Sequence, residues 1–440
     1  MTRRHDFRVQ PGGSLHGRVR VPGDKSISHR AVMLGAIADG VTTIDGFLEG
    51  ADALGTIGAF RALGVTIGGP EAGRVVVHGV GVEGLQAPRG PIDLGNSGTS
   101  MRLLTGLLVA QNFTTVLTGD ESLSRRPMRR VTEPLVQMGA RVESAEGETP
   151  PLTIHGGRPL SAIDYRLPIA SAQVKSALLL AGIYAHGRTR VREPAESRDH
   201  TERMLGGFGY PVERGELECS IDGGGRLRAS DVDVPADISS AAFLLVAASL
   251  SPGSDLMLEH VGMNPTRTGV IEVLQSMGAD IDILDPRTVG GEPVADLRVR
   301  YAPLHGVDIP PAVVPRAIDE FPILFIAAAC ASGTTRLSGA EELRVKESDR
   351  LQVMADGLAA LGINVRTRPD GIDIEGGHLQ AGVVDSAGDH RIAMSFAVAA
   401  HRAAGPVTVT DCRNVETSFP GFVDLARSVG IDIELEGEGA

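Results

Sequence analysis

Lysine occurs at only three positions of the chain, and each of them is a candidate for chemistry. The sequence has 440 residues and 42 lysines and arginines, of which only Lys25, Lys175 and Lys346 are lysine. A general preference for arginine explains the background. A position that keeps lysine is one where a compact ammonium with a shiftable pKa is useful, which a guanidinium cannot supply. The three lysines are therefore candidates for proton transfer or for binding a small anion.

Carboxylates beside one lysine and before an apolar run are candidate acids and bases. The segment RVKESDR places Lys346, Glu347 and Arg350 within one predicted helical turn. A surface ladder of ion pairs is an equally good interpretation of that spacing. Asp319 and Glu320 directly precede the apolar run FPILFIAAAC. A carboxylate there either caps a buried helix or has its pKa raised toward the range of a general base.

One pattern recurs six times along the chain. A polar signature opens an Ala- and Leu-rich run, followed by a β-like stretch, a second helix that closes on a glycine, and an alternating strand. The first helices are predicted to begin at Lys25, Asn96, Ser171, Asp237, Asp319 and Asp389, and the closing glycines are Gly64, Gly139, Gly209, Gly278, Gly362 and Gly430. These glycines lie where a helix C-cap needs the left-handed conformation. The units are too large for a solenoid, and the pattern predicts six helix-strand-helix-strand units in two halves of three.

Two short segments marked by proline or glycine are candidate hinges between the halves. They are VPGDK at 21–25 and VDVPAD at 232–237. If both cross between domains, a first globular domain at 22–236 is inserted into a second, discontinuous domain made of 1–21 plus 237–440. Two bodies joined in this way can close over a small ligand and exclude water.

The polar signatures are suited to binding anions. The N-terminus of a helix has unpaired N–H groups and a positive dipole, which attract phosphate and carboxylate. Capping alone explains Ser, Thr, Asn and Asp at these positions. It does not explain the cations Lys25, Arg30 and Arg391, which oppose the dipole, so something anionic is expected to offset them. The basic run RRPMRR at 125–130 is either a solvated turn or part of the same site.

Composition excludes several classes of function. A formal net charge of −13, an aromatic content of 3% and the absence of tryptophan argue against a nucleic-acid surface. No apolar stretch has the length needed to span a bilayer. Cys219, Cys330 and Cys412 lack metal-ligand spacing and are expected to be reduced thiols. We therefore expect a cytoplasmic protein with no metal centre, no nucleic-acid partner and no membrane association.

The ordered set of motifs resembles one family, 3-phosphoshikimate 1-carboxyvinyltransferase or EPSP synthase. The matching segments are PGDKSISHRA, GNSGTSMRL, LSRRPM, SAQVKSALLLAG, ESRDHTERML, IDEFPI, LRVKESDRL, GDHRIAMS and TSFPGF, in family order. The resemblance implies an α/β fold with two domains of three repeated units each, the enolpyruvyl transferase fold or inverse α/β barrel. It also implies transfer of the enolpyruvyl group of phosphoenolpyruvate to the 5-hydroxyl of shikimate 3-phosphate, with release of phosphate. This is a step of aromatic amino-acid biosynthesis by the shikimate pathway. A monomer without metal or organic cofactor is expected.

The resemblance also assigns roles to individual residues. Asp319 is expected to be the base near the 5-hydroxyl, and Glu347 with Lys25 is expected to protonate the methylene of phosphoenolpyruvate. The expected phosphoenolpyruvate ligands are Lys25, Gly98, Arg126, Gln173, Arg350 and Arg391. The expected shikimate 3-phosphate ligands are Lys25, Ser26, Arg30, Ser171, Ala172, Gln173, Ser197, Asp319 and Lys346. Lys175 receives no role and is expected to pack on a helix surface.

Several residues depart from the best-known form of the family. Ala172 stands where a second serine is common, and His200 replaces a tyrosine at the substrate wall with Arg198 beside it. Glu342 replaces an asparagine, and Thr417 replaces a lysine that contacts phosphoenolpyruvate. Glyphosate, a phosphonate, occupies the phosphoenolpyruvate site in this family, and the glycine at 98 leaves room for it, so sensitivity is expected.

Two other functions are compatible with parts of this pattern. UDP-N-acetylglucosamine enolpyruvyl transferase shares the fold and the donor, but it carries a reactive cysteine where this chain has LTGDESLSRRP. The other alternative is an anion-binding relative that has lost its chemistry. Asp319, Glu347 and Lys346 argue against that, because simple anion binding has no use for a carboxylate beside a phosphate.

Overall fold

The six Ala- and Leu-rich runs form six of the thirteen α-helices in the computed structural model, which describes residues 5–437. The helices within these residues are α1 (Lys25–Ile37), α2 (Ala51–Ala62), α3 (Gly98–Leu108), α4 (Arg129–Gln137), α5 (Ala172–Gly182), α6 (His200–Gly207), α7 (Ile238–Leu250), α8 (Gly269–Ser276), α9 (Val314–Ala317), α10 (Phe321–Ala329), α11 (Arg350–Ala360), α12 (His390–His401) and α13 (Phe422–Val429). The six predicted first helices are α1, α3, α5, α7, α10 and α12. Each begins within two residues of its predicted position, which confirms the sequence interpretation.

These six helices form the interior of the protein. Every residue of α7 and of α10 is buried, and α1 and α12 are buried along nearly their whole length. A helix that is apolar on all sides is stable only in a core. The glycines predicted to close the second helices all have φ between 74° and 114°, which confirms their role as left-handed C-caps.

Short strands occupy the chain between the helices. They are β1 (Asp6–Val9), β2 (His16–Val19), β3 (Ala38–Asp45), β4 (Thr66–Glu71), β5 (Arg74–Val80), β6 (Ile92–Asp93), β7 (Thr114–Thr118), β8 (Arg141–Ala145), β9 (Thr149–His155), β10 (Asp164–Arg166), β11 (Arg188–Arg192), β12 (Glu213–Arg214), β13 (Glu218–Asp222), β14 (Leu227–Arg228), β15 (Val232–Asp233), β16 (Asp255–Gly262), β17 (Asp280–Val289), β18 (Glu292–Arg300), β19 (Thr334–Leu337), β20 (Asn364–Arg368), β21 (Gly371–Glu375), β22 (Gly382–Asp385), β23 (Val407–Thr410) and β24 (Ile433–Glu436).

The strands pair into six small sheets with one shared plan. The strand orders are β14-β3-β5-β4 with β15 also on β3, β6-β7-β9-β8, β10-β11-β13-β12, β2-β16-β18-β17, β19-β21-β20 and β22-β23-β1-β24. In five sheets the strand after the first helix lies beside a returning strand, which pairs antiparallel with the strand after the second helix, as β5 and β9 do. In the sixth sheet β1 takes the place of the returning strand, between β23 and β24. The predicted helix-strand-helix-strand unit was therefore wrong for five units, which each add a returning strand, and right for the last, which consists of α12, β23, α13 and β24. In two sheets, β4–β5 and β17–β18, the returning strand follows a two-residue turn with positive φ, at Ala72 and Gly73 and at Gly290 and Gly291.

The chain divides into two units, each with its own apolar core. The inserted unit comprises Gly23–Val234 together with Thr288–Glu292, the tip of the β17–β18 hairpin. The discontinuous unit comprises the described chain up to Pro22, Pro235–Arg287 and the described chain from Pro293 onward. The assignment of the hairpin tip to the inserted unit was not predictable from the sequence, because its strands belong to another repeat.

A close backbone approach packs α3 against α5 within the inserted unit. A Cβ atom placed on Gly106 of α3 would lie 2.2 Å from the carbonyl oxygen and 2.6 Å from Cα of Ala177 in α5. Only glycine allows the two helix backbones to pack this closely. Nearer the helix starts the two helices are joined by side chains, since Nε2 of Gln173 donates to Oγ1 of Thr99 at 3.0 Å.

Candidate active site

Lys25 is the first residue of α1 and is held by acids of the inserted unit. Asp24 caps the helix, since its Oδ1 accepts a hydrogen bond from the backbone N–H of Ile27 at 2.9 Å. The ammonium of Lys25 forms an ion pair with the carboxylate of Asp52, at the start of α2. The Lys25 side chain is 27% exposed, so a ligand can reach it. A protein carboxylate therefore already offsets the cation at this helix start.

Arg30 lies one turn further along α1 and is almost fully buried. Its Nε donates to Oγ1 of Thr201 at 2.6 Å, its Nη2 to Oγ of Ser176 at 2.9 Å, and its Nη1 to the carbonyl of Ser26 at 2.9 Å. Burial lowers the pKa of Arg30 to about 10, against the opposing effect of carboxylates led by Glu202. The guanidinium stays charged at neutral pH and joins α1, α5 and α6.

Gln173 joins the start of α5 to the start of α3. Its Oε1 accepts from Nη1 of Arg102 at 2.9 Å, and its Nε2 donates to Oγ1 of Thr99 at 3.0 Å. Nη1 of Arg102 also donates to the carbonyl of Gly98 at 3.3 Å. The expected ligands Gly98 and Gln173, 75 positions apart in the chain, therefore share a single hydrogen-bonded cluster.

Arg126 is the residue of the RRPMRR run that faces this cluster. Its Nη2 donates to Oδ1 of Asn96 at 2.7 Å and to Oγ of Ser122 at 3.2 Å. A Cβ atom on Gly98 would lie 3.1 Å from Nη1 of Arg126 and 2.8 Å from Nη1 of Arg102. Arg125 and Arg129 are exposed and pair with surface glutamates. Arg125 and Arg129 therefore fit the interpretation of a solvated segment, and the assignment of Arg126 to the site stays a prediction.

The remaining expected ligands of the inserted unit lie at helix starts or in one loop. Ser26 is the second residue of α1, Ser171 caps α5 by accepting from the N–H of Val174 at 3.4 Å, and Ala172 is the first residue of α5. Ser197 lies between β11 and α6, and its hydroxyl donates to a carboxylate oxygen of Glu193.

The expectation for Lys175 is wrong. Its side chain is buried rather than spread on a helix surface, and its ammonium lies 2.6 Å from Glu193 and 2.8 Å from Glu202. The neighbouring apolar run hid this, because nothing local in the sequence indicates which distant acids pair with a lysine.

In the discontinuous unit, Asp319 lies between two cations. Its Oδ1 is 3.5 Å from Nζ of Lys346 and 3.5 Å from Nη1 of Arg350. Lys346 also donates to Glu342 at 2.7 Å. Burial alone would lower the pKa of Lys346, but Asp319 and Glu342 outweigh it and the pKa is raised. Lys346 is therefore an ammonium at neutral pH, suited to binding an anion.

Arg350 is buried, with 1% of its side chain exposed, and is surrounded by acids. Its Nε donates to Oδ2 of Asp389 at 2.8 Å, and its Nη2 donates to Oε2 of Glu347 at 2.7 Å. Burial alone would lower the pKa of Arg350, but Asp389 and Glu347 outweigh it and raise it. Because Arg350 begins α11 and is buried, the surface-ladder interpretation of RVKESDR is wrong. The prediction of one helical turn is wrong too, since residues 346–349 precede the helix.

Arg391 is tied to the residues before α10. Its Nη1 donates to the backbone carbonyl of Asp319 at 2.9 Å and lies 3.7 Å from Oε1 of Glu320. Glu320 is buried and accepts a hydrogen bond from the hydroxyl of Ser239, near the start of α7. Glu320 makes no side-chain capping bond to α10, so the capping interpretation does not apply to it. The starts of α7, α10 and α12 are thus connected through polar side chains.

Protein carboxylates also offset the cations of the discontinuous unit. Three cations, Lys346, Arg350 and Arg391, contact five carboxylates, those of Asp319, Glu320, Glu342, Glu347 and Asp389. Thr417 stands where the family has a lysine. Its hydroxyl donates a hydrogen bond to the backbone carbonyl of Asn414 at 2.6 Å, and it adds no positive charge.

Sequence reasoning missed three residues of these clusters. Arg102 lies one helical turn after Gly98, so the i, i+4 spacing could have indicated it. Asp52 and Asp389 are long-range partners of Lys25 and Arg350, and Asp389 was noted only as a helix start. His390, left open between packing and catalysis, is buried.

The described part of the chain also bears on other kinds of site. Within residues 5–437, no group of His, Cys, Asp and Glu side chains has a metal-binding arrangement, and none of the helices combines the length and hydropathy of a membrane span. All three cysteines are free thiols, and burial raises the pKa of each to about 12.

Comparisons with known proteins agree with the motifs. The family description EPSP synthase (3-phosphoshikimate 1-carboxyvinyltransferase) matches residues 9–425. The chain is 67% identical over 427 residues to the 3-phosphoshikimate 1-carboxyvinyltransferase of Alkalilimnicola ehrlichii, covering 97% of this chain and 96% of the relative. It is 65% identical over 429 residues to that of Methylococcus capsulatus, covering 98% of each. The solved structure of EPSP synthase from Acinetobacter baumannii matches with a TM-score of 0.91 and 53% identity, covering 98% of this chain and all of that one.

Proposed function

The chain belongs to the EPSP synthase family, and on that premise we propose that it transfers the enolpyruvyl group of phosphoenolpyruvate to the 5-hydroxyl of shikimate 3-phosphate. The products are 5-enolpyruvylshikimate 3-phosphate and inorganic phosphate, a step of aromatic amino-acid biosynthesis in the shikimate pathway. The structural observation that best supports this is the position of Asp319 between Lys346 and Arg350. A carboxylate held among cations can accept a hydroxyl proton beside a bound anion.

The first proton transfer is assigned to Asp319. When the 5-hydroxyl attacks C2 of phosphoenolpyruvate, the hydroxyl proton passes to the Asp319 carboxylate and a C–O bond forms. Lys346 is held 3.5 Å from Asp319 as an ammonium. It therefore remains a donor to the substrate and stabilises the negative charge of the site.

The second proton transfer is assigned to Lys25 and Glu347. The methylene carbon of phosphoenolpyruvate must gain a proton as the tetrahedral adduct forms, and must lose one again when phosphate leaves. Lys25 is an ammonium partnered by Asp52. Glu347 is a carboxylate contacted by Arg350 and can accept the proton in the elimination. We therefore propose Lys25 as the donor and Glu347 as the acceptor of this proton.

Binding of the two substrates is assigned to the residues that the family motifs indicate. For phosphoenolpyruvate we propose the set Lys25, Gly98, Arg126, Gln173, Arg350 and Arg391. For shikimate 3-phosphate we propose the set Lys25, Ser26, Arg30, Ser171, Ala172, Gln173, Ser197, Asp319 and Lys346. Arginine forks suit the paired oxygens of phosphate and carboxylate. The hydrogen bonds of Arg102 and Asn96 support the set for phosphoenolpyruvate, because they hold Gln173 and Arg126 in place.

The proposed reaction needs no metal or organic cofactor, and we propose a cytoplasmic monomer.

Inorganic phosphate released from phosphoenolpyruvate is the readout that tests the proposal. Release that requires shikimate 3-phosphate supports it, whereas release that requires UDP-N-acetylglucosamine instead would assign the chain to the related transferase. Binding of phosphoenolpyruvate without release in either case would identify a relative that has lost its chemistry.

A further inference from the structure

The buried ion triad of Lys175, Glu193 and Glu202 has no role in the reaction described above. The ammonium of Lys175 lies 2.6 Å from Oε2 of Glu193 and 2.8 Å from Oε1 of Glu202, and the three side chains are 4%, 6% and 3% exposed. Charges are buried at a high desolvation cost, and apolar residues of the same size often give equal or better stability. An ion triad is therefore weakly explained by stability alone.

One arm of the triad fixes Ser197. The second oxygen of Glu193 accepts the hydrogen bond of the Ser197 hydroxyl, and the backbone carbonyl of Ser197 accepts from Nζ of Lys175 at 3.4 Å. The loop between β11 and α6 that carries Ser197 is thus held through both its side chain and its backbone. Both contacts depend on the ammonium of Lys175, which pairs with Glu193 and donates to the Ser197 carbonyl.

The other arm leads to Arg30. Glu202 follows Thr201 in α6, and Oγ1 of Thr201 accepts from Nε of Arg30 at 2.6 Å. Ser176 follows Lys175 in α5 and accepts from Nη2 of Arg30 at 2.9 Å. The hydroxyls of Ser176 and Thr201 also share a hydrogen bond of 2.6 Å. Pairing Lys175 with Glu202 therefore fixes the two helices whose hydroxyls orient the Arg30 guanidinium.

The site also explains why lysine is used here in a chain that otherwise prefers arginine. Two carboxylates and a carbonyl lie around one nitrogen within 3.4 Å. A compact ammonium with three donors fits such a convergent set, whereas a planar guanidinium would spread its donors over a wider fork.

We propose that Lys175 is a positioning residue for shikimate 3-phosphate, acting through Glu193 on Ser197 and through Glu202 on Arg30. This inference rests on the proposed function, in which Ser197 and Arg30 bind that substrate. A serine hydroxyl has a single hydrogen, which in this structure is given to Glu193. When the phosphate binds, that hydrogen turns to a phosphate oxygen, and Lys175 continues to balance the charge of Glu193.

A double-mutant cycle between Glu193 and Ser197 tests the first arm. The variants are Glu193→Gln, Ser197→Ala and the double substitution, with Glu218→Gln as the matched control because Glu218 is an exposed glutamate of β13 in the same unit. The measurements are KM for each substrate, kcat, the Kd of shikimate 3-phosphate by calorimetry, and the thermal unfolding midpoint. Calorimetry is suitable because the chain has no tryptophan to report binding by fluorescence.

Glu193→Gln is expected to raise KM and Kd for shikimate 3-phosphate about tenfold, because the loop that carries Ser197 is then no longer held in place before the phosphate binds. The KM for phosphoenolpyruvate and kcat should change less than about twofold. In the Ser197→Ala background, Glu193→Gln should raise the Kd of shikimate 3-phosphate by less than a further factor of about two, because the two residues act as one unit. Equal increases in both KM values, or fully additive effects, would overturn the proposal in favour of a structural role.

Lys175→Arg tests the need for an ammonium. It retains the charge, and we expect it to weaken binding of shikimate 3-phosphate at least as much as Glu193→Gln does. Wild-type affinity in Lys175→Arg would contradict the proposal. The wild-type enzyme is assayed first: if it releases no phosphate with shikimate 3-phosphate, the proposed function fails, whereas an active wild type with unaffected variants refutes only the positioning role.

Discussion

Arg350 and Asp389 form a two-point contact in the interior of the discontinuous unit. Nε of Arg350 donates to Oδ2 of Asp389 at 2.8 Å, and its Nη2 donates to Oδ1 at 3.3 Å. The same Oδ1 accepts from the backbone N–H of Arg391 at 2.9 Å. One buried carboxylate therefore caps α12 and holds the side chain of one proposed phosphoenolpyruvate ligand and the backbone of another.

Replacing Asp389 by asparagine should be strongly destabilising. Asp389→Asn leaves the Arg350 guanidinium buried without its main counter-charge, and breaking such a pair costs about 3–5 kcal/mol of unfolding free energy. Urea denaturation followed by circular dichroism at pH 7 measures this. Asp424→Asn, which changes an aspartate that is 88% exposed, should alter stability by less than about 0.5 kcal/mol. A similar loss in both variants would contradict the argument.

Asp389 should also affect how the unfolding free energy falls at acidic pH. Burial alone would raise the pKa of Asp389, but Arg350 outweighs it and the pKa is lowered. A carboxyl whose pKa is lowered on folding stabilises the protein fully above its ordinary value of about 3.9 and loses that contribution as pH falls through the lower folded value. Between pH 5 and pH 2, Asp389→Asn should therefore lose less stability than the wild type does. If the unfolding free energy of Asp389→Asn falls as steeply with pH as that of the wild type, Asp389 does not titrate differently in the folded state.

Asp319→Asn tests the assignment of the base. The amide keeps the shape of the side chain but cannot accept the hydroxyl proton, so kcat should fall about 10²- to 10⁴-fold. Both substrates should still bind, with Kd values within about threefold of wild type. Asp308→Asn is the matched control, because Asp308 is a largely exposed aspartate of the same unit. Undiminished turnover in Asp319→Asn would remove it from the role of base.

Gly98→Ala tests the space beside the two arginines. A Cβ atom there meets only the ends of the Arg102 and Arg126 side chains, which can shift, so the fold should be retained. The KM for phosphoenolpyruvate should rise a few-fold, and the inhibition constant of glyphosate should rise by a larger factor. Gly58→Ala, in open space on α2, should change neither. Equal losses for substrate and inhibitor would refute the steric argument.

Gly106→Ala tests the close approach of α3 and α5. The new Cβ atom would overlap backbone atoms of Ala177, which cannot move without separating the helices. We expect a loss of about 3 kcal/mol in unfolding free energy, at the upper end of overpacking effects. Urea denaturation checks this. Gly58→Ala serves again as control, and wild-type stability in Gly106→Ala would show that the helices separate at no cost.

The parts of the fold that were predictable from the sequence are local. Asp237 and Asp389 each cap a helix that follows them directly, and an apolar run shows where that helix goes. Gly64 and Gly430 mark helix ends because their left-handed conformation is required at that position. Such features depend on a few neighbouring residues, so the pattern alone indicates them.

The parts that were missed depend on partners far apart in the chain. Arg350 and Asp389 are 39 positions apart, and Lys175 pairs with acids 18 and 27 positions away. The returning strands were missed because each follows the strand before it after only two or three residues, as β5 follows β4 and β18 follows β17, so the two strands look like one β-like stretch. Nothing in the local sequence distinguishes a lysine that will pair with buried acids from one that will lie on a surface.

The central claim is tested most directly by following inorganic phosphate from phosphoenolpyruvate with the purified protein. The account predicts phosphate release, with 5-enolpyruvylshikimate 3-phosphate formed in equal amount, only when shikimate 3-phosphate is present and without any added metal. Absence of release with both substrates present, from protein shown to be folded, would contradict it.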